Sequence, residues 1–185
     1  MTDQDKYKDL LKGIENPKVR ARGEAGSIQN SLRFKLYKAA FDRIEDGIQS
    51  ESFFEVISIA DSLITDRIQA VVQFLRREEP EHYVYTSIGL ALELLQVEMK
   101  SRGIDLGDEF KSLRNKLNEW VPERNIAAHG FVTITHKNLN HDLDHRLEHL
   151  KTTAITGAEL ARTTTNITTK ILRELHIETN SSITQ

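Results

Sequence analysis

The sequence predicts an all-α protein, a bundle of long amphipathic helices. Apolar residues recur at intervals of three and four rather than two, which is the spacing of a helix face. The three prolines fall between these periodic segments, where helix breaks are expected. With 185 residues, 38% of them hydrophobic, and no cysteine, the chain can bury a core without disulfides. We therefore expect one all-α domain.

The strongest pattern predicts a helix over residues 51–77. A second helix is predicted over 83–102, with Gly103 at the position that ends a helix. Because the connection around Pro80 is short, we expect these two helices to be antiparallel. Their apolar stripes are Phe53, Val56, Ile57, Ala60, Ile64, Ile68, Val71, Val72 and Leu75 in the first, and Ile88, Leu92, Leu95 and Met99 in the second.

Weaker patterns predict the remaining helices. Residues 30–48 form one, and residues 107–120 form a short one with Asp108 as its N-cap. Pro122 suits the first turn of a new helix. A long final helix over 143–176 has small residues that let another helix approach closely. Its apolar side comprises Leu143, Leu147, Leu150, Ala154, Ala158, Ala161, Leu172 and Leu175.

These elements divide the chain into three parts. Residues 1–29 form an N-terminal helix and basic arm, in which proline and glycine mark 16–29 as a loop. Residues 30–178 form the helical domain. Residues 179–185 are expected to be a frayed tail.

The charge distribution is uneven along the chain. The net charge of −3 and pI near 6.2 argue against a general nucleic-acid coat. Residues 17–38 nevertheless contain six basic residues and one acidic residue, whereas residues 39–66 contain seven acidic residues and one basic residue. Two interpretations remain open, a local cationic groove or two ordinary solvated helix faces. The first would bind nucleic acid through Lys18, Arg20, Arg22, Arg33 and Lys35.

Several classes of protein find no support in the sequence. Without cysteine there is no thiolate nucleophile and no cysteine-ligated zinc site. No phosphate-binding glycine loop, G-x-S-x-G or H-E-x-x-H motif occurs. The N-terminal residues lack the apolar core of a signal peptide. The sequence also contains no run of 18 apolar residues, which is about the length needed to span a membrane. We expect a cytoplasmic protein without membrane contacts.

The segment over residues 121–130, VPERNIAAHG, holds the residues best suited to chemistry. Arg124 supplies a permanent planar cation that binds phosphate oxygens, and His129 can exchange a proton near neutral pH. Asn125 lies four residues before His129, on the same helix face, whereas Arg124 is about 140° away on an ideal helix. The long arginine stem can still fold toward that face. Such a trio suits phosphodiester chemistry.

Residues 124–130, RNIAAHG, resemble the RN-xxx-HG form of the R-x4-6-H motif of HEPN domains. These are small all-α bundles found in prokaryotic toxins, anti-phage systems and CRISPR effectors. The resemblance covers seven residues in motif and roughly residues 50–175 in architecture. It implies two long antiparallel central helices, a short helix that begins with the motif, and a long C-terminal helix.

The resemblance also implies a metal-independent endoribonuclease without cofactors. Arg124 would bind the scissile phosphate, His129 would act as general acid or base, and Asn125 would orient them. The ribose 2′-hydroxyl would attack the adjacent phosphorus. Such enzymes usually act as homodimers whose two motifs share one cleft, in toxin–antitoxin or phage-defence modules. RNA, a second copy and an antitoxin or other defence protein are therefore the expected partners.

Two further features bear on this family. Related toxins often have a modified tyrosine two residues after the histidine, but Phe131 stands there, so we do not expect that route of regulation. HEPN families also commonly place an acidic or polar residue on the long helix opposite the motif. Asp61 or Asp66 could take this supporting place.

Five of the seven histidines lie within residues 129–149. His141, His145 and His149 are four apart and line one helix face, where two imidazoles can chelate a metal. No further ligand spacing completes a metal site, so we predict none. A solvated stripe and a stripe that helps to hold RNA are the other interpretations.

Two other functions remain open. The chain could be a non-catalytic HEPN-like dimer that binds RNA, a nucleotide or a protein, or an unrelated helical interaction protein. Accessible motif side chains at a dimer cleft would favour catalysis. Arg124 buried in an ion pair with Glu123 or Asp61 would favour a structural role.

Overall fold

The computed structural model describes the backbone of residues 23–76, 86–130 and 143–181, and the side chains of residues 32–76, 86–128 and 143–175. All regular structure in these ranges is helical, which confirms the all-α prediction. The helices are α1 (Gly23–Gln49), α2 (Phe53–Arg76), α3 (Ile88–Ser101), α4 (Gly107–Gly130) and α5 (Leu143–Ser181).

Helix α2 is the centre of the bundle and packs against each of the other four. Every residue of its predicted apolar stripe is buried, so that prediction is confirmed. Thr65, Arg67 and Gln69 are buried too, although they are polar and lie outside the predicted apolar stripe. From residue 63 to residue 72, every side chain of α2 except that of Asp66 is buried, as expected for a central helix.

Contacts between named residues fix the relative direction of three pairs of helices. Helices α1 and α2 form an antiparallel hairpin, and α4 and α5 are also antiparallel. Helices α2 and α5 run in the same direction, because Ala60 lies near Gly157 and Arg67 near Thr168. For α1 and α2, the evidence is the contacts of Tyr37 with Asp66 and of Arg43 with Glu55. For α4 and α5, it is the contacts of Glu109 with Lys170 and of Trp120 with Thr153. The antiparallel arrangement of α2 and α3 remains a prediction.

Helix α3 begins and ends at defined caps. The Ser87 hydroxyl accepts a hydrogen bond from the Leu90 N–H at 3.3 Å, so the helix begins at Ile88 rather than at the predicted residue 83. Gly103 has a φ of +66°, and the Ile104 N–H donates to the Met99 carbonyl at 3.0 Å. The predicted glycine stop and the apolar stripe of α3 are therefore confirmed.

Helix α1 begins earlier than the sequence predicts. The loop predicted over 16–29 is wrong for residues 23–29, which are helical, while residues 16–22 lie outside the described residues. A glycine inside a helix costs only about 1 kcal/mol relative to alanine. No proline follows Pro17 in this segment, so nothing forbids the helix to extend back to Gly23.

The motif lies at the end of a long helix, not at the start of a short one. Helix α4 runs unbroken through Pro122, so the predicted break and short motif helix are wrong. An interior proline costs about 3 kcal/mol. Trp120 and Arg124, on either side of it, are both held by neighbouring helices, and that packing stabilises the helix through the proline.

The predicted N-cap of this helix is also wrong. Asp105, not Asp108, accepts a hydrogen bond from the Gly107 N–H, at 3.0 Å. Asp108 lies one residue inside the helix, where its side chain is almost fully exposed. The carboxylate two residues before the helix therefore satisfies its first backbone N–H.

Helix α5 is apolar along only part of its predicted stripe. Leu143 and Leu147 are 62% and 40% exposed, so their predicted burial is wrong. Ala60 lies beside Gly157, and α2 begins seven residues before Ala60, so α5 residues before about 150 extend past the end of α2. The other predicted positions are buried or partly buried. The helix continues to Ser181, which corrects the tail predicted from residue 179.

The threonines of α5 surround a buried arginine. Arg67, only 2% exposed, donates from Nε to Thr168 Oγ1 at 3.1 Å and from Nη2 to Thr169 Oγ1 at 2.6 Å. Its guanidinium also lies over the Tyr37 ring at 5.4 Å. Both hydroxyls donate to backbone carbonyls four residues earlier. The threonines therefore provide acceptors for a cation inside the bundle.

Gly157 allows α4 and α5 to pack closely, and we expect Gly157→Ala to destabilise the fold by about 1–3 kcal/mol. A Cβ at this position would lie 2.5 Å from Trp120 Cζ2, on a ring that cannot move aside. Urea unfolding monitored by circular dichroism measures the change. The matched control is Gly89→Ala in α3, where the nearest atom would be 4.0 Å away. Equal destabilisation by both substitutions would contradict this account.

Candidate functional site

Three residues on one face of α4 hold the motif against the bundle. Trp120 is 3% exposed, and its Nε1 donates to the Thr153 carbonyl at 2.9 Å. Trp120 therefore anchors α4 to α5. Glu123 and Arg124 follow three and four residues later, so they lie on the same side of the helix. Glu123 contacts α5, and Arg124 contacts α2.

Arg124 forms an ion pair with Asp61 of α2. Its Nη2 lies 3.1 Å from Asp61 Oδ1, and the two side chains are only 17% and 16% exposed. Within the described part of the chain, Asp61 Oδ1 and Arg124 Nε are buried and make no aligned hydrogen bond. Charge attraction rather than hydrogen-bond geometry therefore holds this pair together.

Burial controls the ionisation of Asp61. Loss of solvation raises the pKa of Asp61 above its ordinary value of 3.8, and the Arg124 charge lowers it only partly. The carboxylate is thus costly to keep charged without its cation. Arg124 and Asp61 depend on each other, and a change to either residue affects the other.

The motif residues do not converge within the described side chains. The Arg124 guanidinium turns to Asp61, whereas Asn125 is exposed on another side of the helix. The backbone is helical from residue 124 to 130, which places His129 about 140° around the axis from Arg124. The side chain of His129 lies outside the described residues.

The two supporting carboxylates have different neighbours. Asp61 lies against Arg124, as described above, while Asp66 accepts a hydrogen bond from the Tyr37 hydroxyl of α1. Asp66 is therefore on the side of α2 that faces α1. Of these two candidates, only Asp61 is shown in contact with the motif.

The structure describes two of the five candidate RNA-binding residues. Arg33 lies on the rim of a groove between α1 and α2, and Lys35 is exposed on α1. The other three, Lys18, Arg20 and Arg22, lie outside the described residues.

The motif helix makes a second contact that no sequence pattern predicted. His149 Nε2 lies 2.8 Å from Glu123 Oε2, at the edge of a groove of about 430 Å³ between α4 and α5. His145 is exposed, and His141 lies outside the described residues. Among the residues that the structure describes, no group of three or more His, Asp or Glu side chains could hold a metal ion. His149 thus pairs with a carboxylate one residue before Arg124.

No protein-family model matches the chain, and no curated protein or solved structure matches it either. Among the helices described, none combines the length and apolar character needed to cross a membrane.

Proposed function

We propose that the protein is a metal-independent endoribonuclease of the HEPN type. The observation that carries the proposal is the sequence of residues 124–130, RNIAAHG, which resembles the RN-xxx-HG motif of this family. The resemblance also implies an acidic residue on the long helix opposite the motif. Asp61 on α2 occupies such a position.

The reaction requires a cation at the phosphate and a group that moves a proton. Arg124 binds the scissile phosphate through its planar guanidinium, and Asp61 holds that guanidinium in place when RNA is absent. His129 takes the proton from the 2′-hydroxyl or gives one to the leaving 5′-oxygen. The attacking oxygen forms a 2′,3′-cyclic phosphate, and the P–O5′ bond breaks. Asn125 lies four residues before His129, on the same helix face, and orients the imidazole.

One chain supplies a single motif histidine, so we propose a homodimer that brings two motifs to one cleft. Ile126, inside the motif, is 56% exposed. Leu143 and Leu147 are also exposed, and the Glu123–His149 contact places Leu147 and Ile126 at the same end of the helix pair. An apolar surface here suits contact with a second copy. The antitoxin or defence-system partner is part of the same proposal.

A second function is favoured by the burial of Arg124. A guanidinium that is 17% exposed and paired with a carboxylate matches the criterion for a structural role. The angle of about 140° around the helix axis between Arg124 and His129 also supports a structural role for Arg124. In this case the protein does not cleave RNA: it is a helical interaction protein in which Arg124 and His129 are structural, or a non-catalytic HEPN-like dimer that binds RNA, a nucleotide or a protein. The two functions differ in whether RNA is cleaved.

The test is incubation of the purified protein with mixed cellular RNA, with and without a chelator, and with DNA of the same length. We expect RNA to be cleaved at equal rates in both buffers, and DNA to remain intact. Cleavage that stops with chelator would show that the proposed mechanism is wrong. RNA that is bound but never cleaved would establish the second function instead.

A further inference from the structure

A groove between α1 and α2 has an apolar surface and lies away from the motif contacts. Its volume is about 580 Å³. Leu36, Ala40, Ile59 and Leu63 form most of its apolar lining. Leu36 is 61% exposed, and Leu32, one turn earlier on α1, is 56% exposed. Two large apolar side chains one turn apart on a solvent-facing helix indicate a contact surface rather than scattered exposure.

The charges beside this apolar face change sign along α1. Lys35 and Lys38 come before Asp42 and Asp46 along the helix, and all four are exposed. Seen along the helix axis, Lys35 and Asp46 lie about 80–100° from Leu36 in the same direction. This direction points away from the groove. One flank of the same face is therefore basic at one end and acidic at the other.

This pattern is complementary to itself when a second α1 runs antiparallel. A two-fold axis near Ala40 places Lys35 opposite Asp46 of the second copy, because 35 and 46 lie equally far from residue 40.5. In a two-fold interface each such contact occurs twice. A parallel arrangement would instead put like charges together.

Small residues lie where the two helices would cross. Ala39 is exposed and Ala40 is partly exposed, so the two α1 backbones can approach closely at the axis. Leu36 of each copy would then lie about 7 Å along the helix from the axis, over the apolar lining of the other groove. The apolar contact supplies affinity, and the charges set the direction.

We propose that the α1–α2 groove binds a second copy of this chain, with the two α1 helices antiparallel. This contact is separate from the proposed dimer at the motif and does not depend on RNA cleavage. A chain with both surfaces forms assemblies larger than a dimer. Opposite charges across the interface also make the contact weaker at high salt.

The experiment is sedimentation velocity over a series of protein concentrations, performed on Ile126→Glu so that contact at the motif is removed. We expect this reference protein to form dimers in the micromolar range. Leu36→Glu in this background should weaken the dimer at least about tenfold, because it places a charge on the apolar face. Leu36 is exposed in the single chain, so its replacement leaves the fold intact.

Charge reversal tests the direction of the helices. Lys35→Glu and Asp46→Lys should each weaken the dimer, and the double variant should restore it, since the two charges exchange places. The matched control is Lys100→Glu, an exposed lysine of α3, which should change nothing. A reference protein that stays monomeric, even if its groove binds an apolar dye, would overturn the proposal. Leu36→Glu without effect, or failure of the double variant to recover, would do the same.

Discussion

Replacing His129 by alanine is expected to lower the rate of RNA cleavage about 10²- to 10⁴-fold, which is the usual loss for a positioned general acid or base. His129 is the second-last residue of α4, so the substitution should leave the helix content and the unfolding midpoint unchanged. The measurement is the initial rate of cleavage of a labelled RNA. The matched control is Asn118→Ala, an exposed residue on the same helix.

Arg124→Lys tests the phosphate-binding role in the same assay. Lysine keeps the charge beside Asp61 but cannot bind two phosphate oxygens with a planar fork, so most of the activity should be lost. Arg114→Lys, on the same helix, controls for the change of residue type. If His129→Ala and Arg124→Lys both retain full activity, the ribonuclease activity belongs to a contaminant or to another site.

Replacing Arg124 by methionine is expected to destabilise the fold by about 2–4 kcal/mol. Removing one partner of a buried ion pair leaves the other charge without compensation, which typically costs about 3–5 kcal/mol when burial is complete. Because the Asp61 side chain is still 16% exposed, the expected loss of folding free energy is smaller. Urea unfolding at neutral pH measures it. The double variant Arg124→Met with Asp61→Asn, which removes the remaining charge, should recover much of the loss.

The destabilisation by Arg124→Met should depend on pH in a defined direction. Burial raises the pKa of Asp61 in the folded protein above its value in the unfolded chain. The neutral carboxyl is therefore favoured by folding, and the protein is more stable at acid pH. This stability is lost as the pH rises through the pKa of Asp61 in the folded protein. Without the lowering effect of Arg124, this loss is larger. The stability difference between wild type and variant should therefore be small below pH 3.8 and grow toward neutral pH. A difference that is constant with pH would contradict this account of the pair.

Helical periodicity predicted the helices where packing follows the apolar stripe. All of the apolar positions predicted in α2 and α3 are buried, and the stop at Gly103 is correct. Local signals failed where contacts between helices decide the structure. Pro122 signals a break, but the anchors on either side of it keep α4 continuous. Likewise, Leu143 is apolar but extends past α2, so it remains exposed.

The candidate site could be predicted only in part. The motif identified Arg124, and the resemblance suggested Asp61 among two candidates, but only the tertiary structure shows which carboxylate meets the guanidinium. The Glu123–His149 contact joins residues 26 apart on different helices. No local spacing gives such a pair. The buried Arg67 had no sequence signal except the threonines of α5, which provide its acceptors.

Attack by the 2′-hydroxyl is tested with an RNA in which the ribose at the preferred cleavage site is replaced by a 2′-deoxyribose. We expect the unmodified RNA to give a product ending in a 2′,3′-cyclic phosphate, or in its hydrolysed form, and the single deoxy substitution to abolish cleavage at that position. Continued cleavage at the deoxy position, with a 5′-phosphate on the downstream product, would contradict attack by the 2′-hydroxyl and with it the proposed ribonuclease mechanism.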